Sequence, residues 1–335
     1  MSRTLHIHLG LLKTGSTTIQ HAFSGYDDGR LHYPGIGQNN HFPLLANLGR
    51  SLVGDPLEPM HHKGGTLDPA PLVHDLLALI ERDDRSMILS GETLASGRLR
   101  PPHFEALMEV FHRHFDVIHA IAYIREPVSM IRSIMQQAIK TGPRPFDPGG
   151  FYPNYRARLG RWVDAIGAAQ CDVIPFDAAN LHDGDLLRDF AARVGADGPV
   201  RAEPARNRSL SAEGFALLWA INPRLARHTQ AHRKEILRKL LGYGDTPFEI
   251  DPDACARVIA ARRPDIDWIE SAMGCPLPPY RPIPDAVIFR SEDEILGYAD
   301  GLGVDLDALA QGKALRRHSL VQRVKRRLTG AARSR

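Results

Sequence analysis

Leu5-His-Ile-His-Leu9-Gly10-Leu-Leu-Lys13-Thr14-Gly15-Ser16-Thr17-Thr18-Ile-Gln20 is the stretch whose reading decides the fold. Leu5 to Leu9 has strand character and feeds a loop bounded by Gly10 and Gly15. The loop opens into a hydroxyl-rich helix start at Ser16, Thr17 and Thr18. Strand, glycine loop and helix in that order predict a phosphate cradle. The first amides of a helix have no intrahelical acceptor, they converge on an anion, and the helix dipole favours negative charge there. Glycines let the main chain curl without a Cβ in the way. The nucleoside-triphosphate pattern is G-x-x-x-x-G-K-[ST]. This loop keeps the four residues between its glycines, but Ser16 stands in the lysine slot and the lysine lies inside the loop at Lys13. The strand-like Met87 to Gly91 is followed by Glu92 rather than by a metal-holding aspartate. The pattern points to a phosphate ligand and away from Mg-ATP.

A second motif lies about a hundred residues on. Val117 to Ile124 is an apolar run of strand length, interrupted only by His119. Arg125 follows at its carboxyl end, where open α/β sheets bind ligands. Pro127 suits the first turn of a helix, on which Ser129 and Ser133 share one face. A guanidinium forks onto phosphate oxygens, and a serine hydroxyl adds one more donor. The competing reading is a surface ion pair beside two solvated serines.

Together these motifs resemble those of the 3′-phosphoadenylyl-sulfate (PAPS) dependent sulfotransferases. The family's 5′-phosphosulfate loop, P-K-T-G-[ST]-[ST], has its counterpart in Leu12-Lys13-Thr14-Gly15-Ser16-Thr17, with leucine for proline. Its strand-closing arginine and the serine eight residues later, which bind the 3′-phosphate, correspond to Arg125 and Ser133. The likeness is specific over residues 5–20 and 117–137 and general elsewhere. It is closer to bacterial and carbohydrate-type members, because the glycine-rich C-terminal signature of the cytosolic small-phenol enzymes is missing.

The resemblance implies a P-loop NTPase-like, three-layer α/β/α sandwich with a central parallel sheet, PAPS as cofactor, PAP as product and no metal. It places Lys13 on the oxygen bridging sulfur and phosphorus. The 5′-phosphate falls to Thr14, Gly15, Ser16, Thr17 and Thr18, and the 3′-phosphate to Arg125 and Ser133. Glu92 and His41 are the two candidate bases for the acceptor proton. Glu92 equally suits a first-turn acid on a following helix, and a lone loop histidine such as His41 is more often incidental. Arg206 and Arg208 are candidates for a basic loop over the cofactor, or for the flank of a surface helix capped by Ser209 or Ser211. The implied acceptor is a hydroxyl or amine of a saccharide, a lipid-linked glycan or a small metabolite. Two rivals stand beside this reading: a P-loop kinase of a small molecule, and a non-catalytic nucleotide-binding protein.

The 335 residues, 43% hydrophobic and 24% charged, are those of a soluble globular chain. No apolar run reaches membrane-spanning length, and no signal-peptide pattern opens the chain, so a cytoplasmic location is expected. Cys171, Cys255 and Cys275 are too few and too scattered for a disulfide framework or a zinc site. Residues 313–335 hold nine lysines and arginines and no acid, leaving 33 bases against 39 acids elsewhere. A basic tail on an acidic body suits contact with an anionic membrane or polymer, or a solvated terminal helix. The acidic body argues against nucleic acid as a partner.

Strands are expected at 4–9, 86–90, 117–124 and 171–175. Helices are expected at 16–24, 41–49, 69–82, 101–114, 127–140 and 153–168. This alternation predicts a parallel sheet covered on both faces. Beyond residue 200 the pattern is helical, with helices at Ser211–Ile221 and Arg224–Leu241 parted by Asn222-Pro223, another at 253–262, and a proline-broken segment from 264 to 284. The expected organisation is one α/β domain over 1–312, with a helical cap at 200–285, and a basic tail.

Overall fold

The computed structural model describes residues 2–62, 65–197 and 209–313. Its strands are β1 (Thr4–Leu9), β2 (Leu31–His32), β3 (Met60–His62), β4 (Gly65–Leu67), β5 (Ser86–Gly91), β6 (Val117–Ile124), β7 (Cys171–Pro175), β8 (Phe248–Ile250) and β9 (Val287–Phe289). The helices up to residue 194 are α1 (Ser16–Ala22), α2 (Phe42–Leu52), α3 (Pro69–Arg82), α4 (Pro101–His114), α5 (Pro127–Ile139), α6 (Tyr155–Ile166) and α7 (Leu186–Val194). After them come α8 (Ala212–Leu225), α9 (Gln230–Leu240), α10 (Pro252–Ala261), α11 (Arg263–Met273), α12 (Glu292–Gly301) and α13 (Leu306–Ala310). They fall into two compact units.

The first unit comprises Met1–Met130, Pro153–Arg206 and Ile259–Tyr280. Its core is a five-stranded sheet in the order β2-β5-β1-β6-β7, with every pairing parallel. β1 is central and buried on both faces, which is why it reads as a nearly continuous apolar run rather than a clean alternation. On one face Ile88, Ile121, Tyr123 and Ile174 pack with Ile19 of α1, with Phe23 just after that helix, and with Phe190 and Val194 of α7. The rings of Phe23 and Phe190 meet edge to face at 5.0 Å. Fully burying one such phenylalanine stabilises the fold by roughly 1.5–3 kcal/mol. On the other face Leu9, Ala120, Ala122 and Val173 meet Leu159 and Trp162 of α6. The small alanines of β6 let that helix approach closely. The result is an α/β/α layering around a parallel sheet, as the sequence predicts.

The chain order creates one special edge. From β1 the chain passes toward β2 on one side, whereas from β6 it passes to β7 on the other. The carboxyl ends of the neighbours β1 and β6 are therefore the topological switch point, where open α/β sheets bind their ligands. Gly10 and Arg125 sit at those two ends. Arg3 anchors the opposite end of the sheet. Its guanidinium donates to the carbonyls of Ile80 and His114 at 2.7 and 2.8 Å, ending α3 and α4 with one side chain.

The second unit comprises Ile131–Tyr152, Asn207–Val258 and Arg281–Arg335. α8 is apolar nearly all round and is its buried centre. Phe215 stacks on Phe248 of β8 at 4.4 Å and on Phe289 of β9 at 5.7 Å, and those two strands pair in parallel. Ser211 caps α8, accepting from the Gly214 amide at 3.0 Å.

Two expectations fail in the helical region. The break expected at Asn222-Pro223 is absent, because α8 runs through both residues to Leu225. Asn222 is buried and held from outside the helix, donating to the Ile139 carbonyl at 2.9 Å and accepting from Arg233 at 2.6 Å. Those contacts keep the last turn helical although Pro223 forfeits one backbone bond. Nor does Pro264 break its segment. It lies in the first turn of α11, where a missing N–H is harmless.

Candidate functional site

The loop after β1 is built by its own polar groups. The Gly10 amide donates to the Gly91 carbonyl at 3.1 Å, tying the end of β1 to the end of β5. The carbonyl of Leu11 then accepts from the Thr14 hydroxyl at 3.0 Å and from the Ser16 hydroxyl at 3.2 Å. Both hydroxyls are thus spent on folding the loop. Gly15 caps α1 with φ 79° and contributes no side-chain hydrogen bond. A Cβ on Gly15 would stand 2.2 Å from Leu186, so the position requires glycine on two grounds.

Three charged residues gather at the ends of β1, β5 and β6. Lys13 lies in the loop in a left-handed conformation, φ 62°. Burial holds its ammonium below the ordinary lysine pKa, with Arg125 acting in the same direction and the Glu92 carboxylate opposing both. Glu92 and Arg125 are therefore both within electrostatic reach of Lys13. Glu92 accepts from the Thr17 hydroxyl at 2.9 Å, and its amide donates to the Asn40 side chain at 3.3 Å. No helix starts at Glu92: turns lead on from it, and α4 begins only at Pro101. The first-turn-acid reading of Glu92 therefore has no helix to serve.

Arg125 leaves β6 with its guanidinium 5.8 Å from the Phe176 ring. Its carbonyl accepts from the Tyr155 hydroxyl at 2.7 Å. Glu126 caps α5, accepting from the amides of Val128 and Ser129, each at 2.7 Å. Ser133 lies on the part of α5 that belongs to the second unit. Thr18 is partly exposed on the first turn of α1. Arg206 and Arg208 lie outside the described residues.

His41 is almost wholly buried at the start of α2. Its Nδ1 accepts from the Ser90 amide at 3.1 Å, so its Nε2 carries the proton and donates to the Pro34 carbonyl at 3.0 Å. Burial pushes its pKa down to about 4. One ring nitrogen thus ties the 34–41 loop to β5, and the other closes that loop on itself. Beneath lies a second buried histidine, His8, which shares a hydrogen bond with Ser90 Oγ at 2.8 Å, and Ser90 Oγ also accepts from Gln20 at 3.3 Å. His6, His8 and Ser90 line the interior of the sheet rather than its ligand edge.

The sequence reading missed Glu126, Asn40 and Tyr155. An acid before Pro127 and an asparagine before α2 are capping signals that could have exposed the first two. Tyr155 carries no such signal, because its partner is distant in sequence.

Neither a protein-family model nor a curated protein matches the chain. Five solved chains match. One is a sulfotransferase from Alicyclobacillus acidocaldarius, 13% identical with a TM-score of 0.39, over 83% of this chain and 98% of that one. Another is the sulfotransferase domain from the curacin biosynthetic pathway, 11% identical with a TM-score of 0.36, over 83% of this chain and 99% of that one.

Proposed function

We propose that the chain is a PAPS-dependent sulfotransferase acting on a hydroxyl or amine of a saccharide, lipid-linked glycan or small metabolite. The observation that carries the reading is the gathering of Lys13, Glu92 and Arg125 at the carboxyl ends of three adjacent parallel strands. Two cations and the amides of a glycine-capped helix start suit a ligand with separated anionic groups, and a carboxylate beside them suits a proton acceptor.

Bound PAPS would supply the sulfuryl group on a phosphosulfate that leaves as PAP. Lys13 stabilises charge on the departing phosphate oxygen, and the amides of Gly15 to Thr18 hold the 5′-phosphate. Because the hydroxyls of Thr14 and Ser16 bond the Leu11 carbonyl, the backbone amides are the principal donors of this loop. Arg125 and Ser133 take the 3′-phosphate. Glu92 takes the acceptor's proton. We prefer it to His41, whose nitrogens are both engaged with backbone groups. Arg206 and Arg208 complete the cofactor site in this reading, and residues 313–335 contact an anionic surface.

Isothermal titration of PAP, without added metal, tests the proposal on wild type and on Lys13→Ala, Arg125→Ala and Ser133→Ala. Binding that weakens in all three variants supports it. A folded wild type that ignores PAP but binds Mg-ATP would replace it with the kinase reading.

A further inference from the structure

We propose that Arg161 is a positioning residue for Glu92, an inference that rests on reading Glu92 as the base. Arg161 projects from α6 into the turns that follow Glu92. Its Nη1 donates to the Leu99 carbonyl at 2.6 Å, and its Nη2 to the carbonyls of Leu94 at 2.9 Å and Ser96 at 3.0 Å. The adjacent Trp162 donates its indole N–H to the same Leu94 carbonyl at 3.2 Å. The guanidinium also lies over the Phe104 ring, 4.8 Å from its centroid.

Burial alone lowers the Arg161 pKa, with no charged group contributing. A partly buried cation without a counter-charge is costly, so the carbonyls must repay its desolvation. An apolar side chain could pack on Phe104, but it would remove this donor from the Leu99 and Ser96 carbonyls and leave the Leu94 carbonyl to Trp162. The guanidinium therefore organises the segment.

That segment is otherwise held by little of its own. The Leu94 amide reaches the Gly91 carbonyl at 3.4 Å, and the Ser96 amide and hydroxyl share the Thr93 carbonyl at 3.0 and 2.6 Å. Leu94 is fully buried, and its side chain lies so close to Gly91 that a Cβ there would stand 2.7 Å from it. Fixing the Leu94 carbonyl fixes the peptide two residues beyond Glu92. The carboxylate is then presented to Thr17 from a segment held on both sides, by Gly91 in β5 and by Leu94. Among the described residues no hydrogen bond or ion pair joins Arg161 to Glu92 or to the loop carrying Lys13, so its effect on chemistry passes through the backbone.

The test compares wild type, Glu92→Gln, Arg161→Lys and the double variant. Water serves as the acceptor, and release of labelled sulfate from PAPS is the readout. Glu92 takes a proton from water as the new S–O bond forms, and the electron pair of the breaking S–O bond goes to the 5′-phosphate oxygen of PAP. Arg161→Lys should keep PAP affinity within about threefold, which also reports folding, while slowing release about 10–100-fold. The double variant should be no slower than Glu92→Gln, because a positioning residue has nothing left to position. Trp162→Phe should show the same non-additivity at smaller size, which guards against a misfolded Arg161→Lys. An unchanged rate in Arg161→Lys, or a rate loss additive with that of Glu92→Gln, overturns the proposal. If wild type binds no PAP, or Glu92→Gln releases sulfate at the wild-type rate, the reading of Glu92 falls and the proposal falls with it.

Discussion

Lowering the pH from 7 to 5 should destabilise the first unit by up to about 6 kcal/mol, through three histidines buried in neutral form. Burial pushes His6 and His8 down to about 3 and His41 to about 4. The same side chains titrate near 6.5 once unfolded. The unfolded chain therefore binds protons first, so the stabilisation is complete above about pH 6.5. It is lost as the pH falls, down to about 4 for His41 and about 3 for the other two. At pH 5 each histidine lies about 1.5 units below its unfolded pKa, a loss of about 2 kcal/mol apiece at 1.36 kcal/mol per unit. His32, also lowered by burial, acts in the same direction. Asp28 and Asp172, held near 2 by their hydrogen bonds, lose stabilisation only below about pH 4 and leave the upper window to the histidines. Three such losses compare with a whole domain stability of about 5–15 kcal/mol. Urea denaturation at pH 7, 6 and 5 would measure the effect as a falling midpoint at constant slope, and His8→Phe should remove one proton from the pH dependence. A midpoint equal at pH 7 and pH 5 would refute the burial argument.

Two further substitutions probe the ligand edge. Gly15→Ala should destabilise by about 2–4 kcal/mol, roughly 1 from the left-handed backbone and the rest from overlap with Leu186; adding Leu186→Ala should recover the overlap but not the backbone cost, as read by thermal melts of the three proteins. Tyr155→Phe removes the hydroxyl that donates to the Arg125 carbonyl. It should cost about 1 kcal/mol of stability and weaken PAP severalfold while sparing 5′-AMP, which titration of both ligands would show.

The sheet was legible because its strands are buried on both faces and its crossover helices carry their own periodicity. β1, β5, β6 and β7 each stand where apolar, β-branched runs predict them. β2 escaped notice because two residues, Leu31 and His32, carry no period. α7 escaped because its stop signal, Gly195, follows a segment with three aspartates near its start. The helix through Pro223 was illegible for a different reason: the groups that hold Asn222, the Ile139 carbonyl and the Arg233 guanidinium, come from outside its own helix. At the candidate site, residue types were legible and their engagements were not. The motif names Thr14, Ser16 and Thr17, but only the fold shows that two of these hydroxyls close the loop on Leu11 and the third holds Glu92. Likewise His41 has the right chemistry for a base, and its two backbone partners are visible only in three dimensions.

Lys13 offers the sharpest separation of fold from function. A non-glycine residue at φ 62° sits in a region that costs roughly 1 kcal/mol. Gly15, two positions on, is also left-handed, so the loop needs two such residues and fills only one with glycine. Backbone stability alone would favour glycine at both. Lysine at the strained position is explained by its side chain, which lies partly buried in the fields of Glu92 and Arg125. Lys13→Gly should therefore relieve strain, offset in part by about 0.5–1 kcal/mol of glycine entropy, and leave stability level or higher by up to about 1 kcal/mol. Lys13→Ala keeps the left-handed penalty and should be the less stable of the two. Both variants should bind PAP at least tenfold more weakly, about 1.4 kcal/mol, because neither returns the ammonium. Urea midpoints and PAP titrations on the pair would settle it. A Lys13→Gly protein clearly less stable than wild type would show that the ammonium supports the fold itself, and that the strain at Lys13 is not held for the sake of a ligand.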